Sequence, residues 1–180
     1  MNLAETEIVT RCCKGERNAQ LELYSMYSRQ IYNSCFRILQ NQMDAEDAMQ
    51  ESFLKIFAKM EQYNESVPLG AWITRIAVNT SIDKLRQKNI DLVTINENIK
   101  YDIIEDDTDD WEATTEMVKA IKQAITELPD NLRVIITLYL IEGYDHEEIS
   151  DILNIKVGTS RVQYMRAKQK VLNILETYRQ

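Results

Sequence analysis

Apolar residues along this chain recur every three to four positions rather than every two, in long segments separated by short polar breaks. That period belongs to amphipathic helices. Residues 6–13 are expected to form a short helix with Ile8, Val9 and Cys12 on its apolar face, broken by Lys14 and Gly15. Residues 16–40 follow, with a stripe of Leu23, Tyr27, Ile31, Cys35 and Ile38. A third helix is expected to start at Asp44 as N-cap, with Asp47 at the third helical position. Its apolar positions are Ala48, Met49, Phe53, Ile56, Phe57 and Met60. Residues 64–70, with Pro68, read as a loop. A fourth helix, 71–88, turns Ile73, Ile76, Ala77 and Thr80 toward a core.

The period is lost in residues 91–116, which contain DIIEDDTDDWE. Self-repulsion keeps such a run extended, so it reads as a linker. It serves either as a passive spacer or as a mimic of nucleic acid in a basic channel of a partner. Helical spacing resumes near Thr115, is interrupted by Pro129, and continues from Asp130 to Glu142, with Gly143 as a stop. Asp145 and Glu148 have the spacing of a capping box for a short helix over 147–153. Residues 154–156 turn the chain, and a final helix runs over 158–178. The expected fold is all-α: two small helical domains, 1–90 and 115–180, joined by an acidic linker over 91–114, the C-terminal domain a helix-turn-helix.

Composition narrows the class. In 180 residues there are four glycines and two prolines, too few for a strand-and-turn architecture. The net charge of −8 argues against nucleic acid until its distribution is considered. Residues 72–90 hold four cations and one anion, residues 156–180 six and one, and residues 91–116 one and ten. Salt screens charge within about 10 Å, so the local field decides, and two segments are locally basic. Cys12, Cys13 and Cys35 lack metal-ligand spacing and His146 is the only histidine, so neither a disulfide framework nor a metal site is expected. The opening MNLAETEIVTRCC has no signal-peptide layout and the longest apolar run is eight residues, which together give a cytoplasmic expectation.

Three constellations carry chemistry. On the fourth helix Arg75, Asn79, Asp83 and Arg86 share a face, with Trp72 at its start and Lys84, Arg86 and Lys88 near its end. Cations for phosphate, an amide for base edges and an indole for stacking suit single-stranded nucleic acid; a solvated face with a core tryptophan fits the pattern equally. The short helix, turn and basic helix at the C-terminus have helix-turn-helix geometry, in which Ile149, Ile152 and Leu153 are expected to bury against Ile155 and Val162. The second helix then presents Thr159, Ser160, Arg161, Gln163 and Tyr164, with Arg166, Lys168 and Lys170 extending its basic side. On the third helix Asp47, Gln50, Glu51 and Leu54 form an acidic face with one leucine, either solvated or a docking surface for a basic partner. No phosphate loop, HExxH or nucleophile–base set is visible. His146 reads as a surface residue at a helix start, and Cys12 and Cys13 as packing residues.

In order and spacing these segments resemble a bacterial RNA polymerase sigma factor of the extracytoplasmic-function (ECF) type, over nearly the whole chain. DAEDAMQESFLKIF, from Asp44, resembles the family's core-polymerase-binding helix; AWITRIAVNTSIDKLRQK, from Ala71, resembles its promoter-melting helix; residues 127–168 resemble its C-terminal helix-turn-helix. The resemblance implies that Asp44, Asp47, Gln50, Glu51 and Leu54 bind core polymerase. It implies that Asn64, Trp72, Arg75, Asn79, Asp83 and Arg86 engage the minus-10 element. Thr159, Ser160, Arg161, Gln163, Tyr164, Arg166 and Lys168 are implied at the minus-35 element, and the segment around 134–140 in docking on the polymerase flap. Implied partners are core RNA polymerase, promoter DNA and an anti-sigma factor that can be membrane-anchored. No cofactor, metal or small-molecule substrate is implied, and no enzymatic activity.

Two departures stand out. The loop before Trp72 often carries a basic residue and a glycine after its aromatic; here Asn64 and Glu65 follow Tyr63. After the Gly-Thr pair the family usually reads valine, basic, serine, arginine; here Ser160, Arg161, Val162 and Gln163 follow Gly158 and Thr159. The rival readings are a dimeric helix-turn-helix regulator of duplex DNA, which needs no Trp72, and a helical adaptor with no DNA role.

Overall fold

A computed structural model describes residues 3–91 and 112–178. These residues form eight α-helices and one 3-10 turn, with no strand among them. The chain divides into two compact units, Met1–Glu97 and Asn98–Gln180. The expected acidic linker lies outside the described residues except at its ends, where helix replaces it: the fourth helix runs on to Asp91 and the fifth begins at Glu112.

In the first unit α1 (Leu3–Cys13) lies against α2 (Arg17–Leu39), which packs with α3 (Gln42–Lys59) and α4 (Leu69–Asp91) as a three-helix core. Leu23, Ile31 and Ile38 from α2, Ile56 from α3 and Ile73 from α4 have no exposed surface, and each such side chain contributes roughly 1.5–3 kcal/mol on burial. The α3 face buries small residues, Ala45, Ala48 and Ser52. Ser52 donates to the Ala48 carbonyl (2.6 Å) and Ser81 on α4 to the Ala77 carbonyl (2.9 Å). These bonds let hydroxyls sit inside without an orphaned donor. Gln30 donates to Thr74 Oγ1 at 2.9 Å, a polar stitch between α2 and α4. Ile73, Ala77 and Thr80 are buried as expected and Ile76 is half-buried.

Two helix starts differ from expectation. Gln40 ends α2 in the left-handed region (φ 50°), so the chain is already extended at Asn41, whose side chain accepts from Asp44 N–H at 3.0 Å. Asn41, not Asp44, is therefore the N-cap of α3, and Asp44 occupies the third helical position. The expected loop 64–70 is shorter, because Leu69 is fully buried and draws the chain into α4 early. At Gly70 a Cβ would meet the Tyr27 ring at 3.3 Å, so the missing side chain lets α2 and the first turn of α4 approach closely.

The second unit contains α5 (Glu112–Thr126), α6 (Asp130–Leu140), α7 (His146–Leu153) and α8 (Val157–Tyr178). Ala124, Ile125 and Leu128, Leu132 and Ile136 of α6, and Ala167 and Val171 of α8 form its main core. Every residue from Leu132 to Leu138 is buried, Arg133 included. The Arg133 guanidinium is neutralised by Asp130 (2.6 Å) and donates to the Leu128 carbonyl (3.0 Å), which makes a buried cation tolerable. The helix stops at Leu140, two residues before the expected end. There the Ile141 and Glu142 N–H groups both bond to the Thr137 carbonyl, and Gly143 (φ 78°) reverses the chain. The capping box of α7 is present: Asp145 Oδ1 accepts from Glu147 and Glu148 N–H (both 2.8 Å), and Glu148 accepts from Asp145 N–H (3.0 Å). Such caps contribute about 1 kcal/mol. Asn154, left-handed at φ 52°, ends α7, and α8 begins three residues later.

Candidate polymerase and nucleic-acid interfaces

On α4 the four residues Arg75, Asn79, Asp83 and Arg86 are all exposed, on the face turned away from the core. Arg86 lies 3.7 Å from the Asp83 carboxylate. Trp72 is half-buried; one side of the indole leans on Tyr63 (ring centroids 5.4 Å apart), leaving the ring neither in the core nor free. The Tyr63 hydroxyl donates to the Val67 carbonyl (2.8 Å), and Asn64 Oδ1 accepts from Ser66 N–H (3.2 Å). These bonds shape the loop leading to Trp72, and burial pushes the Tyr63 phenol pKa above its usual value. Asn64 is exposed at the loop's head.

The basic end of α4 is divided. Lys84 turns toward α3, 3.8 Å from Asp47 and 3.9 Å from Glu51, and Lys88 pairs with Asp44. Glu51 also pairs with Lys55 (2.7 Å), whose ammonium donates to Thr80 Oγ1 (3.2 Å). Three carboxylates of the α3 acidic face are therefore partly neutralised inside the unit. Sequence spacing gives no sign of this, because it depends on how two helices cross. Gln50 is exposed and Leu54 is 70% exposed. Met43 is 77% exposed and stands three turns before Leu54 on the same line, a residue that the sequence reading missed. A groove of about 380 Å³ beside Gln50 is lined by Tyr24, Ser28, Arg29, Tyr32, Glu46 and Met49. Tyr24, an exposed aromatic residue off the α2 stripe, was its signal in the sequence.

In the second unit Thr159, Arg161, Arg166 and Lys168 are exposed on α8, while Gln163 is half-buried. Two expected DNA-facing residues turn inward instead. Ser160 is fully buried, its hydroxyl 3.0 Å from His146 Nδ1. Tyr164 is half-buried against Tyr139 (centroids 4.5 Å) and His146 (5.6 Å). Val162 is 51% exposed and Met165 63% exposed, so Val162 does not join the buried contact of the turn. Ile149 is fully buried there, with Ile152, Leu153 and Ile155 half-buried. The periodic stripe Ser160, Tyr164, Ala167, Val171 was the signal for this orientation; a serine at its head concealed it. His146, expected on the surface, is half-buried and stacked on Tyr139 (4.7 Å, 23°). At the C-terminal end of α6, Leu140 (53%) and Ile141 (40%) are exposed next to Tyr139.

Among the described residues no group of three or more His, Cys, Asp or Glu side chains is placed to hold a metal ion. No helix among them is long and apolar enough to cross a membrane. Cys12 and Cys35 are buried free thiols, whereas Cys13 is exposed rather than packed. Burial pushes the Cys12 thiol pKa up, away from thiolate chemistry.

Residues 23–90 match the family model for sigma-70 region 2, and residues 119–171 match that for sigma-70 region 4. ECF RNA polymerase sigma factor SigW of Bacillus subtilis (strain 168) is 31% identical over 165 residues, which cover 87% of this chain and 88% of the relative. The ECF RNA polymerase sigma-E factor of Haemophilus influenzae is 28% identical over 183 residues, covering 97% of this chain and 96% of the relative. Among solved structures, the sigma factor RpoE in complex with the anti-sigma factor NepR, from Bartonella quintana, gives a TM-score of 0.61 at 18% identity, covering 86% of this chain and 95% of that one. CnrH in complex with the cytosolic domain of CnrY gives 0.56 at 17% identity, covering 94% and 96%. These structural likenesses bear on the fold, and the family models and curated relatives bear on descent. The chain belongs to the sigma-70 family as an RNA polymerase sigma factor of the ECF type, a protein of promoter-specific transcription initiation.

Proposed function

We propose that the two units divide the work of promoter use. Residues 1–90 bind core polymerase and open the minus-10 element; residues 115–180 read the minus-35 element. The acidic run over 91–114 connects them. The observation that carries this reading is the outward row on α4: Arg75, Asn79 and Arg86 are exposed along one face that starts near Trp72, on a helix whose opposite face is locked into the core. Cations there hold a displaced strand by its phosphates. The amide reads base edges, and the half-open indole stacks on a flipped base. Unstacking costs a few kcal/mol per step, which stacking and pocket contacts return. Asn64, at the head of the loop, stands at the edge of the base pocket, and Asp83 orients Arg86.

Core polymerase docks on α3 through Asp44, Asp47, Gln50, Glu51 and Leu54. A basic partner surface competes there with Lys84 and Lys88 for the carboxylates, while Leu54 and Met43 supply apolar contact. On α8, Thr159, Arg161, Arg166 and Lys168 face the major groove with Gln163 at its margin. Ser160 and Tyr164 support the helix from behind, and Val162 offers an apolar contact for a thymine methyl. The exposed end of α6 supports docking on the polymerase flap. The protein acts in the cytoplasm as a DNA-binding regulator rather than a catalyst. An anti-sigma factor restrains it, as the complexes formed by the structural neighbours suggest.

Run-off transcription with core polymerase on a library of promoter fragments, with and without Trp72→Ala, tests the reading. Polymerase-dependent initiation that Trp72→Ala weakens is expected; no initiation on any template removes it. The isolated chain is expected to bind promoter DNA weakly at physiological salt. Two small basic surfaces gain from each other only when held at the correct spacing.

A further inference from the structure

We propose that His146 is a positioning residue for minus-35 reading: through its bond to Ser160 and its stack on Tyr139 it sets the rotation of the N-terminal half of α8. The inference rests on the reading of α8 as the minus-35 helix. Ser160 has no exposed surface. A buried hydroxyl needs a partner. For three other buried serines that partner is local: Ser52 and Ser81 donate to the carbonyl four residues back, and Ser150 to the carbonyl three back. Ser160 instead reaches another helix and meets His146 Nδ1 at 3.0 Å. Either proton arrangement serves, since the hydroxyl donates to a bare Nδ1 or accepts from a protonated one.

The placement gives this bond leverage. The C-terminal half of α8 is anchored in the main core through Ala167 and Val171, with Ile174 and Leu175 packed on it. The first turns are held against α7 and by the aromatic group of Tyr139, His146 and Tyr164. Each residue of helix spans about 100° of rotation, so a modest roll redirects Arg161 and Arg166 away from their base edges. His146 is itself fixed, as the first residue after the Asp145 capping box. Histidine and serine thus act as a matched pair: the imidazole satisfies the hydroxyl, and the hydroxyl fixes the roll of the reading face.

The test uses holoenzyme assembled from core polymerase and the full chain, on two templates selected from the promoter library. One is a duplex with its minus-35 element intact. The other has that element scrambled and the minus-10 region pre-opened by mismatches. His146→Phe, which keeps a ring for the stack but leaves Ser160 unpaired, is expected to lower initiation on the first template about tenfold and change the second less than about twofold. His146→Asn, which restores a polar atom near Nδ1, recovers most of the loss. So does the double variant His146→Phe with Ser160→Val, because no orphaned group then remains. Equal losses on both templates, no loss on either, or a double variant worse than His146→Phe alone overturns the proposal. Failure of the unaltered chain to initiate on any template removes the proposed function instead.

Discussion

The exposed faces of α4 and α8 are both cationic, yet they handle charge in opposite ways. On α4 the cations are sorted: Lys84 and Lys88 turn back to carboxylates of α3, and the outward row keeps two arginines, an amide and one carboxylate. On α8 Arg161, Arg166, Lys168 and Lys170 are exposed and hold no ion pair among the described residues. Near the N-terminus of that helix a polar pair lies on its inner side, between Ser160 and His146. A sparse cationic row beside an aromatic suits unpaired bases, where stacking supplies much of the affinity. A dense cationic face suits a duplex, where phosphate neutralisation does. Counting lysines and arginines in the sequence cannot separate these cases, because the count is blind to which cations are already engaged within the fold.

Reversing both Arg161 and Arg166 to glutamate gives the strongest contrast. Initiation on templates that depend on the minus-35 element is expected to fall roughly 100-fold, with a shallower salt dependence of holoenzyme binding. Templates pre-opened at minus-10 should respond far less. Equal responses would erase the difference between the two faces. Trp72→Ala comes next, with about a tenfold loss on closed duplex, the scale of one stacked base. That loss should shrink on a pre-opened template, as run-off yields would show.

Lys84→Met and Lys88→Met probe the sorting of charge within the first unit. Each is expected to lower stability by less than about 1 kcal/mol, since exposed ion pairs are weak and screened. The thermal midpoint should change at low salt and converge with the unaltered chain at high salt. Lys168→Met and Lys170→Met on α8 should not move it. The smallest effect concerns Tyr178, whose hydroxyl donates to Glu127 and whose pKa is pushed up to about 12, first by that bond. The neutral phenol is the bonded form. Its contribution is complete below the ordinary tyrosine pKa near 10 and is lost as pH rises through about 12. The difference in thermal midpoint between the chain and Tyr178→Phe should therefore disappear over that interval, and a difference that persists above it contradicts this link.

Local pattern was enough to reveal eight helical segments, the capping box at Asp145 and Glu148, and the outward row Arg75, Asn79, Asp83 and Arg86. In each case the deciding forces act between residues a few positions apart, where 3.6-residue geometry and backbone capping leave little freedom. The order of the segments carried the family. Helix starts were less legible: Asn41 displaced Asp44 as N-cap because α2 ends in a left-handed residue, and Leu69 moved the start of α4 because a core was waiting for it.

What tertiary structure alone decided was which side of a helix meets which neighbour. Lys84 and Lys88 join the α3 carboxylates because α3 and α4 cross where they do. Ser160 is interior, and Val162 exterior, because His146 and Tyr139 arrive from other helices to receive one side of α8. Sequence spacing assigns residues to faces relative to one another, but the absolute rotation of a helix is chosen by the packing energy of all its contacts together, and those partners lie far away along the chain.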